Sequence, residues 1–131
     1  MKRTTLLHAE LSRLIASLGH GDTVVLGDAG LPVPRGTPVI DLAVMRGVPT
    51  LAQVLKAVLS EMQVEAATIA REAVDGHDAQ ARPAWYPASL PTPRCLPHED
   101  FKRACAQARA VVRTGEATPY ANVILQAGVL F

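Results

Sequence analysis

The chain has 131 residues, 49% of them hydrophobic and 19% charged, with a formal net charge of +1; that length suits one domain with its own core and is short for two. Acids and bases are interspersed, leaving no basic face to neutralise phosphates and no polybasic patch for anionic lipid, which sets nucleic acid and membrane surfaces aside as partners. Aromatics make up only 4%, so the core must be built from Leu, Val, Ile and Ala, a composition that favours tightly packed α/β layers.

The N-terminal MKRTTLLHAEL starts with basic residues, but only Leu6 and Leu7 are apolar before His8 and Glu10 interrupt. It predicts neither a secretory signal nor a membrane span, and a cytoplasmic protein is expected. Cys95 and Cys105 have no companion ligand motif, so free thiols are expected rather than a disulfide framework or a zinc site. From Leu11, the positions Leu14, Ile15 and Leu18 fall at helical spacing, and Gly19 stands where a left-handed cap would end the helix. Thr23 to Gly27 follows, with Val24, Val25 and Leu26 in the unbroken apolar run of a strand buried on both faces. Asp28 then lies at its carboxyl end. Residues 30–38, GLPVPRGTP, are turn chemistry, and VIDLAV from Val39 to Val44 reads as a second strand.

Thr50 and Gln53 form a capping box just after Pro49. Leu51, Val54, Leu55, Val58, Leu59 and Met62 trace a single apolar stripe behind it, and that stripe is core. VEAATIAREA, from Val64 to Ala73, could extend the helix by propensity, but a break near Gln63 and a strand suit an alternating plan better. Residues 83–97, PAWYPASLPTPRCLP, hold five prolines and can form neither a regular helix nor a central strand; they read as a surface segment on which Trp85 and Tyr86 pack against the domain. A helix from about His98 to Ala108 carries Phe101, Ala104, Cys105 and Ala108 inward. AVVRT and NVILQAGV give two more strands, with TGEATPYAN, residues 114–122, between them. The alternation predicts a single layered α/β/α domain over residues 1–131 with a largely parallel, mixed sheet.

Ligands of open α/β sheets sit outside the carboxyl ends of the strands, which draws attention to Asp28. His20 lies in the loop that feeds the same strand, so the extended chain separates the two by on the order of 17 Å. A site using both would be assembled between neighbouring subunits. Imidazole is the side chain best poised for proton transfer near neutral pH, yet a lone His in a GHGD loop is more often a solvated turn residue. Asp28 before Ala-Gly, and Asp22, are good turn residues in their own right. His98, followed by Glu99 and Asp100, fits a helix start. Tyr120 and Asn122 after Pro119 are explained by a turn and a packed ring as well as by ligand binding, and His8 and His77 read as helix-terminus or surface residues. There is no G-x-G-x-x-G, no G-x-x-x-x-G-K-[ST], no G-x-S-x-G and no His pair at metal spacing, so nucleotide binding, serine hydrolysis and zinc chemistry have no motif behind them. What remains is a set of His, Asp, Tyr and Asn suited to binding hydroxyls and moving protons.

Three blocks, GHGDTVVLGDAGLPVP, RGVPTLAQVLKAVLSEMQVEAA and TGEATPYANVILQAGVLF, together closely resemble the D-ribose pyranase family, nearly end to end and in the same order. The related L-fucose mutarotases share GH-x-D but carry histidines where this chain has Gly30 and Pro34, and KYGN in place of Pro119-Tyr120-Ala121-Asn122. The resemblance implies interconversion of the β-pyranose and β-furanose forms of D-ribose without cofactor or metal, in a decameric homo-oligomeric ring with sites near subunit boundaries. It implies His20 as proton donor and Asp28, His98, Tyr120 and Asn122 as sugar-binding residues. One stretch departs from the family: LPTPRCLP stands where a strand usually leads into the HE-x-F helix, and its prolines remove backbone donors. A mutarotase acting on L-fucose or another sugar, and a non-catalytic sugar-binding ring, are the alternatives.

Overall fold

Among the described residues, six strands, β1 (Thr23–Gly27), β2 (Val39–Asp41), β3 (Val64–Ala70), β4 (Arg94–Leu96), β5 (Ala110–Arg113) and β6 (Val123–Ala127), form one sheet in the order β2-β5-β1-β6-β3-β4. They belong to a computed structural model that describes residues 1–74 and 80–131; His77 lies outside the described residues. β1, β5 and β2 pair in parallel, as do β3 and β4, while β6 runs antiparallel between β1 and β3. The sheet is therefore mixed, with β6 as its one reversed strand.

The apolar run of β1 is divided between two faces. Val24 and Leu26 join a cluster with Leu11 and Leu14 of helix α1 (Ala9–Ala16) and Leu51, Val54, Leu55 and Val58 of helix α2 (Leu51–Leu59). Val25 joins another with Val111, Ile124 and the fully buried Phe101 and Cys105. Phe101 belongs to helix α3 (His98–Ala104), which continues as a 3₁₀ turn over Cys105–Gln107. Alternate side chains of a strand point to opposite faces, so α1 and α2 cover one side and α3 the other, giving the expected α/β/α layers. Both cysteines are free, and burial pushes the Cys105 thiol up to about 11, an inert core group.

The Thr50 capping box is formed as expected: Gln53 N–H donates to Thr50 Oγ1 at 3.2 Å and Thr50 N–H to Gln53 Oε1 at 2.9 Å. Three boundaries differ from the sequence reading. Helix α1 ends at Ala16, and Gly19 is not its left-handed cap; Gly19 instead opens the next turn, donating its N–H to Asp22 Oδ2 at 2.8 Å. β2 stops at Asp41 rather than Val44, because the Asp41 carboxylate takes the Ala43 N–H at 3.0 Å and bends the chain away. The proline-rich stretch is more than surface: Tyr86, Leu90 and Pro93 are buried, and Arg94–Leu96 forms edge strand β4 between Pro93 and Pro97. Proline is tolerated there because an edge strand leaves one set of backbone groups outside the ladder. Among the described residues, no helix is long and apolar enough to cross a membrane.

Candidate functional site

Four of the five residues singled out in the sequence lie at one end of the sheet, the edge formed by the carboxyl ends of its parallel strands. Asp28 follows the carboxyl end of β1, and Asn122 precedes the antiparallel β6, whose Val123 is the register partner of Leu26. His98 is the first residue of α3, entered from the carboxyl end of β4, and Tyr120 stands in the turn before Asn122.

Asp28 and Asn122 hold each other. The Asp28 N–H donates to Asn122 Oδ1 at 2.8 Å, and Asn122 Nδ2 donates to Asp28 Oδ2 at 3.0 Å. The first bond fixes which way the amide faces, since only its oxygen accepts. Asn122 is 1% exposed, and it reaches this position because Gly27 has no side chain: a Cβ there would lie 3.0 Å from Asn122 Oδ1 and 2.6 Å from Leu31 Cδ2. The other Asp28 oxygen, Oδ1, accepts the Gly30 N–H at 2.9 Å, the Asx turn that Asp-Ala-Gly suggests. A carboxylate has about four acceptor positions, so Asp28 keeps capacity for ligand hydroxyls, and Asn122 keeps its second N–H.

His98 and Tyr120 form the other half of the edge. Their rings meet edge to face with centroids 5.0 Å apart and planes at 78°, while Phe101 lies nearly parallel to the His98 ring at 6.3 Å. Tyr120 has φ 60°, a left-handed conformation that is uncommon for a bulky residue and that tends to accumulate at functional sites. The turn is closed by the Asn122 N–H donating to the Tyr120 carbonyl at 2.8 Å. His98 Nδ1 is buried with no hydrogen-bond partner among the described residues, a polar atom of the kind a ligand can satisfy.

Two carboxylates that the sequence reading passed over hold this edge in place. Glu72, just past β3, accepts the His98 N–H on both oxygens, at 3.1 and 3.0 Å, and that bond holds its carboxyl below the usual range. Burial pushes the Glu116 carboxyl up, but hydrogen bonds from the Leu51 N–H, Thr118 and the Ala117 N–H outweigh it and leave it lowered. The Glu116 carbonyl also takes the Ala29 N–H at 2.9 Å, tying the Asp28 turn to the 114–118 loop. Beside that loop opens a cleft of about 580 Å³ lined by Arg82, Trp85, Glu116, Thr118 and Pro119 among others, and by none of the five candidate residues.

His20 lies at the opposite end of β1. It occupies a four-residue turn closed by the Asp22 N–H on the Gly19 carbonyl at 3.1 Å, with Gly21 at φ 85°, where glycine is free of Cβ strain. Asp22 steadies the turn by an ion pair with Arg109 at 2.7 Å, as its reading as a turn residue implied. The His20 side chain is 60% exposed, and its Nε2 lies 2.8 Å from Glu65 Oε2. The structure thus gathers Asp28, His98, Tyr120 and Asn122, and it keeps His20 away from them by the length of a five-residue strand, roughly 17 Å.

The family profile described as the RbsD / FucU transport protein family matches residues 1–130. A protein named D-ribose pyranase from Paracidovorax citrulli is 63% identical over 131 residues, covering all of both chains. Among solved structures, Bacillus subtilis RbsD complexed with D-ribose superposes with a TM-score of 0.86 at 42% identity, covering all of both chains. The fucose mutarotase from Streptococcus pneumoniae, solved in complex with L-fucose, gives a TM-score of 0.75 at 25% identity, again over all of both chains. A profile match across all but the last residue, and identity of this extent along the whole chain, place the protein in the RbsD / FucU transport protein family.

Proposed function

We propose that this protein is a D-ribose pyranase, a cofactor-independent isomerase that interconverts the β-pyranose and β-furanose forms of D-ribose. The observation that carries the reading is the 63% identity, over the full length, to a protein of that name; the polar edge around Asp28 gives the sugar a place to bind. Residues 1–131 act as a single functional domain. The ribose branch is preferred to the fucose branch because the ribose-bound RbsD is 42% identical and the fucose mutarotase 25%.

Ring opening of a hemiacetal needs a proton on the ring oxygen and loss of the anomeric hydroxyl proton. His20 supplies the first proton as the bond from C1 to the ring oxygen breaks and its electron pair stays on that oxygen. The anomeric proton passes to water, and C1 becomes an aldehyde. The chain then turns so that the 4-hydroxyl attacks C1 and gives its proton back to His20, while the aldehyde oxygen regains one from solvent. Asp28 accepts sugar hydroxyls, Asn122 holds that carboxylate and offers its free N–H, and His98 and Tyr120 supply a rigid wall with a polar tip at each ring. His20 lies a strand's length from these groups, so the site is completed by His20 of a second copy, in a homo-oligomeric ring of decameric type. The protein works in the cytoplasm.

Magnetisation-exchange NMR on D-ribose at equilibrium, with a catalytic amount of protein, tests the reading. Pyranose–furanose exchange should accelerate, and His20→Ala should lose about 10²- to 10⁴-fold of that acceleration while melting as the parent does. Faster anomer exchange with L-fucose alone would move the chain to the mutarotase branch. Binding of ribose without acceleration would leave a sugar-binding ring.

A further inference from the structure

Glu65 is the residue that β3 leaves out of its ladder. Across the β3–β6 pair, Val64 faces Ala127 and Ala66 faces Gln126, so the register shifts at Glu65. Such a β-bulge places one extra residue in one strand, bends it and re-aims a side chain, and bulges are over-represented beside active sites. The re-aimed carboxylate meets two residues from other segments: Gln126 Nε2 donates to Oε1 at 2.6 Å, and His20 Nε2 lies 2.8 Å from Oε2. A third contact is steric. A Cβ on Gly128 would come within 3.0 Å of Glu65 Cβ, so a side chain there would crowd the base of the Glu65 side chain.

A pair this exposed contributes little to folding; the His20 and Glu65 side chains are 60% and 35% accessible. A bulge, an amide and a glycine arranged around one surface pair are accounted for by orientation instead. The His20 hydrogen bond, reinforced by Gln126, holds the Glu65 carboxyl below the usual carboxylate range. It is therefore ionised at neutral pH and can only accept. The hydrogen between the two groups must then belong to Nε2, because which nitrogen of a histidine carries the proton is set by the bond the other group demands.

We infer that Glu65 is a positioning residue that holds His20 in the Nε2–H tautomer, so that Nδ1 is the nitrogen that exchanges a proton with the sugar ring oxygen. The inference rests on His20 being the proton donor proposed above. In the opening step the imidazolium of His20 gives its Nδ1 proton to the ring oxygen as the bond to C1 breaks, leaving the neutral Nε2–H tautomer; the anomeric proton goes to water, and the other proton stays on Nε2, hydrogen-bonded to Glu65. Asp28 and Asn122 play no part in this hold, which lies wholly at the other end of β1.

The test uses full-length protein labelled with ¹⁵N in its histidines, with His20→Ala identifying the His20 signals. Long-range ¹H–¹⁵N spectra of the neutral form should give the Nε2–H pattern for His20 in the parent and a resolvable Nδ1–H fraction in Glu65→Leu. On D-ribose, Glu65→Leu should lower kcat about 10-fold, with KM within about twofold, since tautomer control acts on proton transfer and not on sugar binding. A parent His20 in the Nδ1–H form, an unchanged tautomer pattern in Glu65→Leu, or a parental kcat in Glu65→Leu when His20→Ala is inactive would each overturn the inference. If the parent itself fails to accelerate exchange, the ring-opening reading falls, and the spectra still decide whether Glu65 holds His20.

Discussion

The two ends of β1 are built in different ways. At the carboxyl end, Asp28 is locked to a buried Asn122 by two hydrogen bonds, its turn is tied to the 114–118 loop, and His98 rides on a helix anchored by the fully buried Phe101. At the amino end, His20 sits on an exposed turn, held by a glycine in a left-handed conformation, an ion pair at Asp22 and the carboxylate of a bulged residue. Hydroxyl recognition needs a rigid array of donors and acceptors, and burial supplies rigidity. Proton transfer needs a group that can gain and lose charge, and exposure keeps that inexpensive, because burying an ionised group costs several kcal/mol unless it is paired.

If the two ends belong to one site shared between copies, their defects should complement. Co-expressed His20→Ala and Asp28→Ala chains, each inactive alone, are expected to form mixed rings in which some sites regain both groups; exchange NMR on the purified mixture reads it, and no recovery would confine the site to one chain. The next effect in size is on stability and falls on the carboxyl end alone. Phe101→Ala should lose about 3–5 kcal/mol in urea unfolding, whereas His20→Ala should stay within about 0.5 kcal/mol of the parent. Asn122→Ala, which leaves the Asp28 N–H without its acceptor, should cost about 1–3 kcal/mol and weaken ribose binding as well. Equal losses of stability at His20 and at Asn122 would erase the distinction between the two ends.

The smallest effect is a pH dependence at the carboxyl end. The bonds from the His98 N–H hold the Glu72 carboxyl below its ordinary value of 4.5, so the folded state binds that proton less readily than the unfolded chain. Stability from this group is complete above that ordinary value and is lost as pH falls through the lowered folded one. Melting temperatures from pH 7 down to pH 3 should therefore drop below about pH 4.5, and the gap between the parent and Glu72→Gln should narrow over the same range. A gap independent of pH would mean that the carboxylate charge plays no part in holding α3.

Much of this architecture is legible in the chain itself. The run Val24 to Leu26, the capping box at Thr50 and Gln53, and the stripe from Leu51 to Met62 are local patterns, and each lies where expected. The sequence reading also held that Asp28 and His20 stand at opposite ends of one strand, because strand length follows from residue count. At two of the three boundaries that differ, a competing local bond is the cause: the Asp22 carboxylate draws Gly19 into a turn, and the Asp41 carboxylate ends β2 early. The third, edge strand β4 in the proline-rich stretch, comes from pairing with β3 and has no local signal.

What the chain by itself determined, then, was the alternation of elements, the apolar faces that cover the sheet and the residue types able to move protons and bind hydroxyls. The tertiary structure alone decided which of them meet. Asp28 and Asn122 are 94 positions apart, His20 and Glu65 are 45, and Glu72 and the His98 N–H are 26. Glu65 carries no signature in VEAATIA beyond one charged residue in a strand. Its role exists only because β6 pairs with β3 one residue out of register there, and register is set by the packing of whole strands against one another rather than by any short stretch of sequence.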